Sequence, residues 1–147
     1  MFFESTVAKQ IALIEAGLQT PYIRTGNLEG TRTFQDCRDA VRAYWLLLEA
    51  SLDGRVEPGE YFNIAGEEAF KLTEVVDILL EYTDIEMRTV EDMDRFRPID
   101  ADYQMFDNTK IRSRIDWKPE IPARQMFLDL LNHWRDEVSK GKVPLNR

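Results

Sequence analysis

Three basic side chains and one carboxylate in this 147-residue sequence have the chemistry to hold a nucleotide between them. Arg32 lies in the loop that follows Gly26-Asn27, Arg97 precedes Pro98, Asp100 stands three residues further on, and Lys9 sits near the start of the chain. Guanidinium forks match phosphate oxygens, and a carboxylate beside them accepts hydrogen bonds from ribose hydroxyls. Together these residues have the makings of a nucleotide diphosphate site, although a surface arginine is more often simply solvated.

Other chemistries lack their parts. The one cysteine, Cys37, and the one histidine, His133, exclude an internal disulfide, a Cys/His zinc site and a His-rich catalytic centre. A lone cysteine suits a reducing cytosol, and the chain is expected to be cytoplasmic. Cys37 at a helix start would favour its thiolate, but the plainer expectation is a small structural residue. His133 falls within a regular helical pattern and is expected at a helix surface. The acidic run Glu91-Asp92-Met93-Asp94-Arg95 lacks the glycine of a calcium loop and carries arginine where ligands belong. There is no G-x-G-x-x-G after a strand, no Walker loop and no G-x-S-x-G elbow.

The elements that must position these residues follow from periodicity. Val7, Ala8, Ile11, Ile14 and Leu18 predict a helix over 5–18, capped by Ser5 or Thr6 and ended near Gly17. Tyr22–Thr25 reads as a strand, followed by a loop with a short strand near Thr33-Phe34. A second helix is expected from Asp36 or Cys37 to Leu52, with Ala40, Val41, Tyr44, Leu47 and Leu48 inward. Tyr61–Ala65 reads as a buried strand, and 72–82 as a helix facing in through Val75, Val76, Leu79 and Leu80. Ile85–Val90 alternates like a half-buried strand. A short helix over 109–115, capped by Asp107-Asn108, precedes a last one from Pro122 to about Val138, with Met126, Leu130, Leu131 and Trp134 on one face. Helices alternating with strands predict an α/β protein. The composition, 44% hydrophobic with net charge −8, suffices for a core and disfavours nucleic-acid or anionic-membrane binding. No apolar run reaches the roughly 18 residues of a membrane span.

Taken in order, Val7-Ala8-Lys9-Gln10-Ile11, Ile14-Glu15-Ala16-Gly17, Gly26-Asn27-Leu28, Arg32, the run Asp36–Tyr44, Gly59–Ile64, Arg97-Pro98-Ile99-Asp100, Asp107–Lys110 and Trp117–Ile121 resemble the C-terminal half of extended short-chain dehydrogenases/reductases (the NAD-dependent epimerase/dehydratase family). The resemblance is to their GDP-mannose 4,6-dehydratase and GDP-4-keto-6-deoxy-mannose reductase branch. It implies a partial Rossmann-type sheet plus a small α/β substrate-binding lobe. The second helix, Tyr61–Ala65 and the 72–82 helix would belong to the sheet. The first helix, Ile85–Val90 and the last helices would belong to the lobe. Residues 1–138 would be the substrate-binding portion and 139–147 a polar tail.

The resemblance also assigns roles. Arg32 and Arg97 would hold the diphosphate of a GDP-sugar, Asp100 the ribose hydroxyls, Asn27 and Leu28 the base, and Lys9 the same nucleotide. The family's glycine-rich cofactor loop and Tyr-x-x-x-Lys pair have no counterpart in these residues. The implied NADP and catalytic pair therefore belong to an intact enzyme with an N-terminal Rossmann half. This chain alone is expected to be inactive, to bind no cofactor, and either to self-associate through open sheet edges or to be partly disordered. The alternative is a stand-alone, non-catalytic module for nucleotide-sugar binding or protein interaction. Arg32-Thr33-Phe34-Gln35-Asp36 looks more like the reductases than the Arg-Asp-Trp-Gly of dehydratases. Lys71 stands where relatives often have a capping serine, which leaves Thr73 as the expected substitute.

Overall fold

A computed structural model describes residues 2–96 and 101–143. In chain order the elements are α1 (Phe3–Glu15), β1 (Tyr22–Thr25), β2 (Thr31–Thr33), α2 (Cys37–Leu52), β3 (Ala69–Lys71), α3 (Leu72–Leu80), β4 (Arg88–Glu91), a 3-10 turn (Met93–Arg95), β5 (Tyr103–Gln104), α4 (Thr109–Arg114) and α5 (Ala123–Ser139). They fall into two compact units. The first contains Met1–Gly30, Lys71–Asp102 and Arg124–Arg147, and the second Thr31–Phe70 and Tyr103–Ala123.

In the first unit α1 is buried along eight successive residues, Val7 to Ile14. Two of these are polar. Gln10 meets the requirement that buried polar groups be paired by mimicking a peptide: its Nε2 donates to the Arg24 carbonyl at 3.0 Å and its Oε1 accepts the Arg24 N–H at 2.9 Å. β1 thus has α1's carboxamide on one edge. On the other, β4 pairs in parallel, with Tyr22 opposite Arg88 and Thr25 opposite Glu91. Gly17, at φ 69°, lets the helix stop, because Leu18 N–H reaches Leu13 O and Gly17 N–H reaches Ile14 O, each at 2.9 Å. Ile11, Ile23, Val75, Leu79, Phe127 and Leu131 are fully buried. The Arg135 guanidinium grips Glu15 through two bonds of 2.6 and 2.7 Å and also donates to Tyr82 O at 2.8 Å. This pair holds the Glu15 carboxyl below its usual range.

The second unit carries a three-stranded sheet in the order β3-β2-β5. β2 and β5 run parallel, with Arg32 opposite Gln104. Asp36 caps α2 by accepting the Arg38 N–H at 2.8 Å. One turn in, Asp39 is only 2% exposed. Its carboxylate accepts the N–H groups of Glu120 and Ile121, both at 2.9 Å, and the Arg42 guanidinium at 2.9 Å, while its carbonyl accepts Trp117 Nε1–H. Ala43, Ala50, Val56, Ile111, Ile115 and Trp117 form the core against Leu46, Leu47, Phe62 and Ile64.

Several expectations are corrected. α1 begins at Phe3 without a side-chain cap: Ser5 Oγ instead accepts Trp134 Nε1–H, and Thr6 Oγ1 donates to Phe2 O. Tyr61–Ala65 forms no strand, because no strand among the described residues lies beside it. The third strand is Ala69–Lys71, and Tyr103–Gln104 is a further strand too short for its periodicity to be seen. α2 is rotated relative to the expected stripe, burying Asp39, Ala43 and Ala50 and leaving Val41, Tyr44 and Leu48 exposed. Once Asp39 is drawn inward by the 117–121 segment, the opposite face must turn out. β4 spans 88–91 and all four of its residues are exposed. α3 packs with α1 in the first unit, and α4 lies in the second. α3 is started by neither Lys71 nor Thr73 side chains, since Glu74 Oε2 accepts the Lys71 N–H at 2.6 Å. α5 buries Phe127, which the periodicity missed, more fully than Trp134. Cys37 is exposed. So is His133, edge-on to Trp134 at 5.6 Å.

Burial pushes the Asp39 carboxyl up, but the Ile121 N–H, Arg42 and the Glu120 N–H together outweigh it and hold it below its ordinary value. Asp39 therefore stabilises the fold fully above about pH 4, the unfolded value. That stabilisation is lost as pH falls through the lower folded value. Asp39→Ala is expected to cost about 2–4 kcal/mol at neutral pH, since it strands buried donors. Urea unfolding followed by circular dichroism checks this, and the deficit should shrink toward pH 2.

Candidate functional site

The loop after β1 is set by backbone contact. Asp92 N–H donates to Thr25 O at 2.8 Å, which brings the 3-10 turn alongside. A Cβ on Gly26 would lie 2.5 Å from Arg95 O, so only glycine allows this approach. Asn27 then closes an Asx turn, its Oδ1 accepting the Glu29 N–H at 2.9 Å. Asn27 is exposed and Leu28 half-buried. The expected base-binding pair is thus held on a fixed loop whose base is the turn just before Arg97. Arg97 and Asp100 themselves lie outside the described residues.

Beneath the loop, the Thr25 hydroxyl is buried and has no hydrogen-bond partner among the described residues. The sequence gives no sign of it. Lys9 is on the same unit but is 7% exposed, with its Nζ 5.8 Å from the Trp134 ring centroid, a cation–π contact between α1 and α5. Arg32 belongs to the second unit. It is half-buried on β2, and its Nη1 donates to Thr31 O at 2.9 Å. Asn27 and Leu28 are therefore brought together, with Lys9 set apart in the packing of the two helices.

A cleft of about 570 Å³ in the second unit contains none of the expected residues. Gly66, Phe106, Asp107, Thr109 and Arg112 contribute to it. A Cβ on Gly66 would fall 1.9 Å from Phe34 O, a constraint the sequence cannot reveal because Phe34 is distant along the chain. Asp107 is held below its ordinary range by the Thr109 hydroxyl and N–H, and Arg112 is paired with Glu67. Asn108 turns its carboxamide away from its own helix onto Ala65, donating to the carbonyl at 2.7 Å and accepting the N–H at 3.1 Å. The expected cap is supplied by Asp107, which accepts the Thr109 N–H at 2.8 Å. Among the described residues no group of three or more His, Cys, Asp or Glu is placed to hold a metal, and no helix is long and apolar enough to cross a membrane.

This mixed α/β architecture with parallel pairings is that of Rossmann-like short-chain dehydrogenase/reductase structures. The structure of RMD from Pseudomonas aeruginosa complexed with NADPH superimposes with a TM-score of 0.81 at 26% identity, covering 92% of this chain and 43% of that one. A UDP-glucose-4-epimerase from Stenotrophomonas maltophila shares the fold with a TM-score of 0.73 at 18% identity, covering 92% of this chain and 40% of that one. The family model described as GDP-mannose 4,6 dehydratase matches residues 1–130, and the chain belongs to that family. It is 27% identical over 137 residues to GDP-6-deoxy-D-mannose reductase of Pseudomonas aeruginosa, covering 93% of this chain and 43% of that protein. It is 28% identical over 144 residues to GDP-mannose 4,6 dehydratase 2 of Arabidopsis thaliana, covering 97% of this chain and 37% of that protein. The chain thus spans about two fifths of the length of these relatives.

Two substitutions test the loop. Gly26→Ala should force the 3-10 turn away and cost about 1–3 kcal/mol. Thr25→Val removes a hydroxyl that has no partner among the described residues and should leave stability unchanged or raise it by up to about 1 kcal/mol. Chemical denaturation of the two variants against the parent chain checks both signs.

Proposed function

We propose that residues 1–138 are the substrate-binding portion of a nucleotide-sugar dehydratase or reductase, that 139–147 are a polar tail, and that the ligand is a GDP-sugar. The family match across 1–130 carries this reading, and the names of the relatives supply the sugar nucleotide. Arg32 and Arg97 bind the diphosphate, Asp100 the ribose hydroxyls, and Asn27 and Leu28 lie against the base. The exposed Asn27 side of a backbone-fixed loop supports the last assignment. Of the six residues, Lys9 has the least geometric support, because its ammonium is engaged with Trp134.

The described residues do not fit the pyrophosphate of NADP. β2 reaches α2 through Phe34-Gln35-Asp36, with no glycine and with a carboxylate already capping the helix. β3 runs directly into α3 at Lys71. Neither connection offers the open amide cradle a dinucleotide needs. NADP(H) would be held by an N-terminal Rossmann half and would supply hydride chemistry there. Residues of the present chain orient the nucleotide so that its sugar meets that centre, and alone they bind without turnover.

Ligand binding raises stability by mass action, by about 2.7 kcal/mol at a hundred times Kd. Millimolar GDP should therefore raise the Tm of the 147-residue chain, and Arg32→Ala should abolish the rise without lowering the Tm of the unliganded protein by more than a few degrees. Differential scanning calorimetry decides: a folded sample whose Tm ignores GDP rules the reading out.

A further inference from the structure

The loop from Gly26 to Gly30 in the first unit is fixed at both ends and in the middle. At one end Gly26 is pressed against the Arg95 backbone. At the other, the carbonyl of buried Gly30 accepts the Leu72 N–H at 2.9 Å, which ties the loop to the start of α3. Between them Asn27 Oδ1 accepts the Glu29 N–H. That bond settles what the loop offers a ligand. The Asn27 oxygen is engaged, so its exposed carboxamide presents the Nδ2 donor. Glu29 is exposed as well. Its carboxylate, an acceptor only, has no hydrogen-bond or ion-pair partner among the described residues.

An unpaired carboxylate opposes a diphosphate unless it faces the part of the ligand that donates hydrogen bonds. In a nucleoside diphosphate that part is the base, and the bases differ in what they offer. Guanine carries two adjacent donors, N1–H and the N2 amino group, with the O6 acceptor beside them. Hypoxanthine keeps N1–H and O6 and lacks the amino group. The single N3–H of uracil lies between two carbonyl oxygens, and the amino groups of adenine and cytosine lie beside a ring nitrogen lone pair. In each of these the second carboxylate oxygen meets an acceptor. Two parallel N–H···O bonds to one carboxylate, the geometry that makes such pairs strong, are therefore completed by guanine alone among the common bases. A neighbouring amide donor then matches O6.

We propose that Glu29 determines the choice of base: its carboxylate accepts N1–H and N2–H of guanine, Asn27 Nδ2 donates to O6, and half-buried Leu28 packs on the ring face. The proposal rests on the nucleotide-sugar reading above and deepens it, since it gives the discrimination between bases to a residue with no role there. All three residues sit on one backbone-fixed loop, so little ordering cost attends the contact. A base that lacks the paired donors leaves the carboxylate stripped of water and facing lone pairs, which is how a polar site rejects an analogue.

Isothermal titration calorimetry of the 147-residue chain with GDP, IDP, UDP and ADP tests it. The chain should bind GDP about tenfold more tightly than IDP, which loses one charge-assisted bond, and about thirtyfold or more above UDP and ADP. Glu29→Ala and the isosteric Glu29→Gln should weaken GDP by about 10–100-fold and bring GDP and IDP within about twofold of each other. UDP and ADP should be unchanged or up to about threefold tighter, because a surface negative charge is removed. The unliganded variants should melt within about 2 °C of the parent chain, as expected for an exposed position. Arg32→Ala should instead weaken all four diphosphates alike. A tenfold preference for GDP over IDP that survives in Glu29→Ala overturns the proposal and leaves the nucleotide reading standing. So does a Glu29→Ala chain that binds all four ligands more tightly, since the carboxylate is then only a source of repulsion. A folded chain that binds none of the four removes the nucleotide reading and the proposal with it.

Discussion

A carboxamide has the same donor and acceptor as a peptide bond, and this protein uses that equivalence to satisfy backbone groups that no neighbouring strand pairs. Gln10 serves both backbone groups of Arg24, and Asn108 does the same for Ala65. The Asp39 carboxylate, an acceptor only, takes the two N–H groups of Glu120 and Ile121. Each clamp pins a strand or an irregular stretch to a helix, and buried backbone groups left open would each cost about 1–3 kcal/mol. Placement of the Gly26 loop depends on the first, because β1 must be fixed before Asp92 can dock on Thr25. Placement of the cleft residues depends on the second.

This arrangement explains which elements were legible. The helices at 37–52 and 72–80 and the strand at 22–25 announce themselves through local periodicity, and the structure places them within two residues of expectation at every end. Tyr61–Ala65 was equally clear as a pattern, and its exposure does alternate. A strand is a relation between two segments, however, and among the described residues no strand pairs with this one. The face of α2 was misread for a related reason. Counting apolar residues favours the ridge of Val41, Tyr44 and Leu48, whereas the buried side is chosen by a carboxylate, Asp39, whose partners lie about eighty residues away.

Candidate site residues divide along the same line. Arg32 could be named from its side-chain type, whereas Asn27 and Leu28 could be named only through the resemblance. The glycines at 26 and 66 matter through contacts with the backbones of Arg95 and Phe34, which no local window contains. Lys9 is read in the sequence as a cation at the nucleotide. The structure buries its helix from Val7 to Ile14, and a long aliphatic stem capped by a cation lets lysine reach from α1 to the Trp134 ring.

Net charge is a poor guide to what such a protein binds. At −8 the chain should repel a nucleotide diphosphate at long range, yet at physiological ionic strength that repulsion fades beyond about 8 Å. Within that distance the position of individual guanidiniums decides. Many of them are committed: Arg38 to Asp36, Arg42 to Asp39, Arg95 to Asp92, Arg124 to Glu81 and Arg135 to Glu15. These pairs use up acid and base together, and they build the scaffold rather than the site. An acidic chain can therefore hold an anion with very few arginines, provided the fold keeps carboxylates away from them. Under the proposed reading the burden falls on the loop after β1 and on β2, where glycine, amide and backbone contacts do the positioning that ion pairs do elsewhere in the molecule.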